Sequence, residues 1–250
     1  MDNSFAALRK CMHLHKHSWK RYFFGPNSGL LLLKLLTYTN ITANQLSAFA
    51  LFYVLLPLGF IAYGTQKAAI VGSILFLFII TLDHADGALA RYRGIMSLTG
   101  AYLEKMYHRL IPPLLFLAVS IYTAKYYGNM GIVALGIFIM LVMFLAHWTR
   151  LSKYEIVILK TKKQIKAAIS IEKKVGQQGF LGKSYNKFIY FVNSMEWLCL
   201  ITLALSVTGY LHWMLAFYLP FYTLIAIAKL YLEGKSGFKE FGLGYFREGQ

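Results

Sequence analysis

Apolar residues run along this chain in six blocks, each reaching or approaching the ~20 residues a helix needs to cross a hydrocarbon layer. The blocks cover residues 44–63, 68–90, 100–122, 131–147, 188–211 and 214–232. They predict an all-α polytopic membrane protein with six transmembrane helices. Before the first block, residues 5–36 mix cations with aromatics, including Trp19, Tyr22, Phe23 and Phe24. That mixture predicts an amphipathic helix lying along the headgroups. The domain expectation is an interfacial basic segment at 1–43, a six-helix membrane domain at 44–233 and a cytoplasmic tail at 234–250. Between blocks four and five lies a long basic linker at 151–187. Ile156, Val157, Ile158, Leu159, Ile165, Ala168, Ile169 and Ile171 suit an amphipathic surface helix there. A solvated loop suits the same residues.

Composition agrees with the pattern. The 250 residues are 58% hydrophobic and 14% charged, and the mean hydropathy is +0.52, too apolar for an ordinary soluble domain. The formal net charge of +16 raises nucleic-acid binding, but the placement of the cations argues against it. They collect in the N-terminal segment (Arg9, Lys10, Lys16, Lys20, Arg21, Lys34), after block two (Arg93) and throughout the long linker. The opposite linkers hold only Lys67, Lys125 and His212. This asymmetry predicts both termini on the cytoplasmic side, in an inner (cytoplasmic) membrane. Cys11 and Cys199 imply neither a disulfide framework nor a zinc site. The first thirty residues show no signal-peptide cleavage site.

Against this background one stretch stands out: Asp83, Asp86, Gly87, Ala90, Arg91, Gly100, Glu104 and His108. Ionisable groups within a span cost at least a few kcal/mol each, so several together require a chemical purpose. Asp83 lies roughly 22 Å along the second span at ~1.5 Å per residue, near the cytoplasmic edge. Across an antiparallel hairpin, residues at equal depth have nearly constant index sums. Asp83 with His108, Asp86 with Glu104 and Arg91 with Gly100 satisfy that condition. Steps of three and four keep the groups on one face of each helix, and Gly87, Ala90 and Gly100 would let the two backbones approach closely. Converging carboxylates call for a divalent counter-charge. Oxygen ligands favour Mg²⁺, Mn²⁺ or Ca²⁺, and an imidazole tilts the choice towards Mn²⁺. Pro112 should disturb the backbone at the His108 carbonyl.

The string resembles the signature of the CDP-alcohol phosphotransferases, D-x2-D-G-x2-A-R-x8-G-x3-D-x3-D. Residues 42–47, Thr-Ala-Asn-Gln-Leu-Ser, resemble that family's T-P-N-x-hydrophobic-T, with alanine in place of proline. The resemblance implies a six-span enzyme that moves a phosphoryl-alcohol group from a CDP-linked donor to an acceptor hydroxyl and releases CMP. CDP-diacylglycerol is the expected donor and a polar alcohol the acceptor, in phospholipid or related lipid synthesis. The implied cofactor is Mg²⁺ or Mn²⁺, held by Asp83, Asp86, Glu104 and His108. The implied nucleotide pocket is Asn44, Asp83, Gly87, Ala90, Arg91 and Gly100. Glu104 and His108 replace the last two aspartates, and the last one is the family's proposed base. That leaves three options: a rewired enzyme with His108 as catalytic base, a one-metal variant, or a relative that binds nucleotide without transfer. Arg109, His147 and Arg150 are candidates to grip an acceptor phosphate. Glu196, inside block five, is a candidate for acceptor binding or for pairing with a cation. His13, His15 and His17 alternate in the basic segment as interfacial residues. A homodimer is compatible with the sequence.

Overall fold

Several helices begin where the sequence offers a hydroxyl. Thr42, Thr65 and Ser97 each accept a hydrogen bond from the backbone N–H three residues on, which satisfies an otherwise orphaned donor. Thr42 and Gln45 also bond reciprocally as a capping box. The computed structural model describes residues 4–12, 24–95, 97–159, 195–227 and 231, with backbone only at 24–26, 98 and 146–159. Its helices are α1 (Phe5–Cys11), α2 (Phe24–Leu36), α3 (Ala43–Tyr53), α4 (Leu55–Ala62), α5 (Gln66–Arg93), α6 (Leu98–Tyr127), α7 (Gly131–Leu159) and α8 (Met195–Thr208). A ninth, α9, covers Trp213–Ile227. No strand occurs among the described residues.

Three stretches are long and apolar enough to cross a membrane: Ala43–Ala62, Gln66–Arg93 and Thr99–Tyr127. Gly131–Leu145, α8 and α9 are shorter apolar helices. Parts of blocks five and six (188–194, 228–230 and 232), the linker at 160–187, the tail at 234–250 and His13, His15 and His17 lie outside the described residues.

Several boundaries differ from expectation. The first block is two helices that meet at Val54. Pro57 explains the break, since it donates no N–H and its ring crowds the Tyr53 carbonyl. The second helix runs on to Arg93, where Gly94 adopts φ 69°. Ile95 N–H bonds Ala90 O and Gly94 N–H bonds Arg91 O, a Schellman closure. The third starts at Leu98 and passes through Pro112 and Pro113 to Tyr127 without interruption. The fourth runs past His147 to Leu159.

Packing corrects a larger expectation. α5 and α6 are not pressed together side by side. α5 packs on α1, α2, α3, α4 and α8, while α6 packs chiefly on α3, α4 and α7. The α3–α4 unit therefore packs on both hairpin helices, where direct contact between the two was expected. The glycines explain why. A Cβ on Gly87 would meet the Arg91 guanidinium, and one on Gly100 would meet Asn44 Oδ1 at 2.6 Å. Both glycines make room for polar side chains instead of a facing backbone. The segment expected to lie along the headgroups also packs inward: Leu8 of α1 and Leu33 of α2 are fully buried, in a cluster with Leu46, Leu82 and Leu89.

Candidate active site

The site is built on residues 81–86 of α5, which neighbouring helices hold from several sides. Asp86 is 4% exposed. Ser47 of α3 donates to Asp86 Oδ2 at 2.7 Å, and the Gly87 N–H donates to Oδ1. Both carboxylate oxygens are thus engaged. One turn back, Asp83 Oδ1 lies 3.1 Å from His108 Nε2 of α6. This is the pairing that the index sums anticipate. Tyr107 stacks on the His108 ring, with centroids 4.5 Å apart. Glu104 is exposed one turn before His108. The charges of Asp83, Glu104 and Asp86 all bear on His108.

The other candidate residues flank this centre. Ser97 donates to Asn44 Oδ1 at 2.8 Å and accepts from the Gly100 N–H at 3.0 Å, so Asn44 and Gly100 meet at the start of α6. Arg91 donates through Nε to the Cys11 carbonyl, an unsatisfied acceptor at the negative end of α1. Its terminal nitrogens lie over Gly87, within the field of Asp86 and Glu104. Ala90 is half-buried on the preceding position. Arg109 is half-buried beside His108 and makes no ion pair among the described residues. The side chains of His147 and Arg150, expected beside Arg109, lie outside the described residues.

Two segments about forty residues apart in sequence therefore converge. Residues 42–47 meet the signature at Asp86 through Ser47 and at Gly100 through Asn44. The family that matches is CDP-alcohol phosphatidyltransferase, over residues 40–221. The chain belongs to this family. A comparison with curated proteins finds no match.

CDP-alcohol phosphatidyltransferases transfer a phosphoryl-alcohol group from a CDP-alcohol and are in general dependent on divalent metal. The donor set present here fits such an ion. It offers three carboxylates and an imidazole, and among the described residues no lysine or arginine makes an ion pair with Asp83, Asp86 or Glu104. Among the described residues that negative charge is balanced by no paired lysine or arginine. The four side chains do not converge on one point, however: His108 engages Asp83 and Ser47 engages Asp86, and no group of three or more donors stands ready among the described residues.

The sequence reading assigned no role to Ser47 and passed over His84. Ser47 is the terminal hydroxyl of the upstream motif, and its helical spacing from Asn44 was the available signal. His84 Nε2 lies 3.6 Å from Glu196 Oε1 of α8, so two ionisable side chains from different apolar blocks face each other. The signal there was a pair of lone ionisable groups in two apolar blocks.

Proposed function

We propose that this CDP-alcohol phosphatidyltransferase moves a phosphatidyl group from CDP-diacylglycerol, or a related CDP-linked lipid, to the hydroxyl of a polar alcohol and releases CMP. The observation that carries the reading is the meeting of both motif segments around Asp83, Asp86 and His108. The fold proposed for it is six transmembrane helices with both termini cytoplasmic, in an inner membrane, so that the site opens towards soluble acceptors.

Asp83, Asp86 and Glu104, with His108 at the edge, would hold Mg²⁺ or Mn²⁺. When bound, the ion supplies neutralisation of the pyrophosphate charge as CMP leaves. The chain's own residues do the rest. Asn44, Gly87, Ala90, Arg91 and Gly100 line the nucleotide pocket, and Arg91 offers its two terminal nitrogens to phosphate oxygens because Nε is already committed to α1. His108 donates Nε2–H to Asp83, which fixes the tautomer and leaves the lone pair on Nδ1. It then takes the acceptor's proton as the hydroxyl oxygen attacks phosphorus and the bond to CMP breaks. Asp83 stabilises the imidazolium that forms, while its second oxygen remains free for the ion. Arg109, His147 and Arg150 grip an acceptor phosphate where the acceptor carries one.

The test uses purified protein with radiolabelled CDP-diacylglycerol, Mn²⁺ or Mg²⁺, and a panel of glycerol phosphate, inositol phosphate, serine and other alcohols. The expected result is acceptor-dependent CMP release that EDTA abolishes. Metal-dependent CDP binding without release for any acceptor would instead identify a nucleotide-binding relative that performs no transfer.

A further inference from the structure

His84 directly follows Asp83 on α5 yet faces a different helix. Its Nδ1 lies 2.9 Å from the Ile80 carbonyl oxygen. A carbonyl only accepts, so Nδ1 carries a proton. Nε2 then faces the Glu196 carboxylate at 3.6 Å. Both side chains are largely enclosed, at 23% and 14% exposure, where an unpartnered carboxylate would be costly.

The surroundings give this contact a purpose. On one side Gly29 of α2 approaches so closely that an added Cβ would sit 2.7 Å from His84 Cβ. Ser28 also bonds Thr81 at 2.8 Å. On the other side Cys199, one turn after Glu196, donates to the Phe76 carbonyl at 3.7 Å. The turn bearing both aspartates is thus held between α2 and α8. A functional constellation tolerates only about 0.5 Å or 10–20° of misplacement. Apolar contacts alone would let a helix roll by that much.

We propose that the His84–Glu196 pair is a clasp between α5 and α8 that sets the rotation of the turn carrying Asp83 and Asp86, making both members positioning residues for the transfer reaction. The inference rests on the reading that these aspartates hold a divalent ion. The test measures Mn²⁺ binding to purified full-length protein by loss of the free-ion EPR signal, beside CMP release and thermal unfolding. Glu196→Ala and His84→Ala are each expected to weaken Mn²⁺ binding about tenfold, as loss of a supporting contact around a metal does. The double variant should be no weaker than the worse single one, since a broken clasp cannot be broken twice. Glu196→Gln, which keeps shape and can donate to a neutral Nε2, should recover most of the affinity and guards against simple misfolding. Unchanged Mn²⁺ affinity in Glu196→Ala overturns the clasp, as do losses that add in the double variant. Glu196→Gln as weak as Glu196→Ala also overturns it, by making Glu196 a ligand through its charge. If the wild type binds Mn²⁺ but releases no CMP, the transfer reading fails while the binding cycle still decides the clasp. A wild type that binds no Mn²⁺ removes the clasp's purpose.

Discussion

His108 stands where the family signature ends in aspartate, and the structure gives it Asp83 as a partner at 3.1 Å. A positioned base contributes about 10²–10⁴ in rate. His108→Ala should therefore lower kcat by about that factor, and near-normal turnover would remove the base assignment. His108→Asp substitutes a base with an unperturbed pKa of about 4 for one of about 6.5, so the acid limb of the kcat profile should move to lower pH. An unmoved limb would show that the imidazole does not titrate in the rate. Ser47 acts at one remove. It gives a buried carboxylate a hydrogen bond of 2.7 Å, and bonds to charged groups are worth about 1.5–3 kcal/mol. Ser47→Ala should raise the apparent KM for metal about tenfold or more, and Ser47→Thr should restore it. Equal KM values in all three proteins would reduce Ser47 to packing. At the opposite end of the bundle, His212 stacks on Tyr126 at 5.4 Å and its Nδ1 is buried without a partner among the described residues. Burial lowers its pKa, so the unfolded chain takes up this proton at higher pH than the folded one. The resulting stability is present above the ordinary histidine value of about 6.5 and is lost as pH falls through the lower folded value. His212→Phe keeps the stacking and should flatten that acid decline in Tm. An identical decline in the variant would assign it to other groups.

Among the elements, α5 organises the rest, and its surroundings show what a single sequence can convey. The apolar helices and the depth match of Asp83 with His108 were legible because helical rise and the cost of intramembrane charge act locally along the chain. Which helix faces which was not. Gly87 and Gly100 read as sites of backbone contact, yet they accommodate Arg91 and Asn44, because the four-residue connection after Arg93 leaves α3 and α4 free to pack on both α5 and α6. Ser47 and His84 escaped assignment for the same reason, as their partners are 39 and 112 residues away along the chain. Arg93 illustrates a cation with a second task. It was legible as a topogenic charge, and in the structure it donates to the carbonyls of Leu36, Thr39 and Ile41, closing the end of α2. α1 yields a prediction of its own. Its docking depends on Leu8, which is fully buried, and its terminal carbonyl at Cys11 orients Arg91. Leu8→Asp would place a charge in an apolar cluster and release the helix. CDP affinity should then fall about tenfold, the worth of one bond to a charged donor. Wild-type affinity in Leu8→Asp would separate α1 from the nucleotide pocket.

For the whole molecule, the two ends of the bundle differ in charge and the sides are apolar. Phe52, Leu55, Ile74, Phe138, Leu141, Phe217 and Leu224 are all exposed. A monomer in water would not present that much apolar surface, whereas lipid solvates it without cost. The cationic end carries Arg91, Arg93 and the carboxylates, together with α1 and α2. The other end carries Lys125, which closes the end of α4 by donating to Ala62 O and Tyr63 O at 2.9 and 3.1 Å. The proposed transfer to soluble acceptors puts the first end at the cytoplasm, and the lysine and arginine bias of the sequence predicts the same orientation. Two positions distinguish the ends. Cys11 is partly exposed in α1, and Met130, in the turn between α6 and α7, is 68% exposed. In intact cells a membrane-impermeant maleimide should label Met130→Cys and leave Cys11 unlabelled until the membrane is opened. Cys199, fully buried, should stay silent in both conditions and so serves as the internal control. Labelling of Cys11 from outside, with Met130→Cys protected, would invert the bundle. The carboxylate cleft would then open away from the cytoplasm and its soluble acceptors.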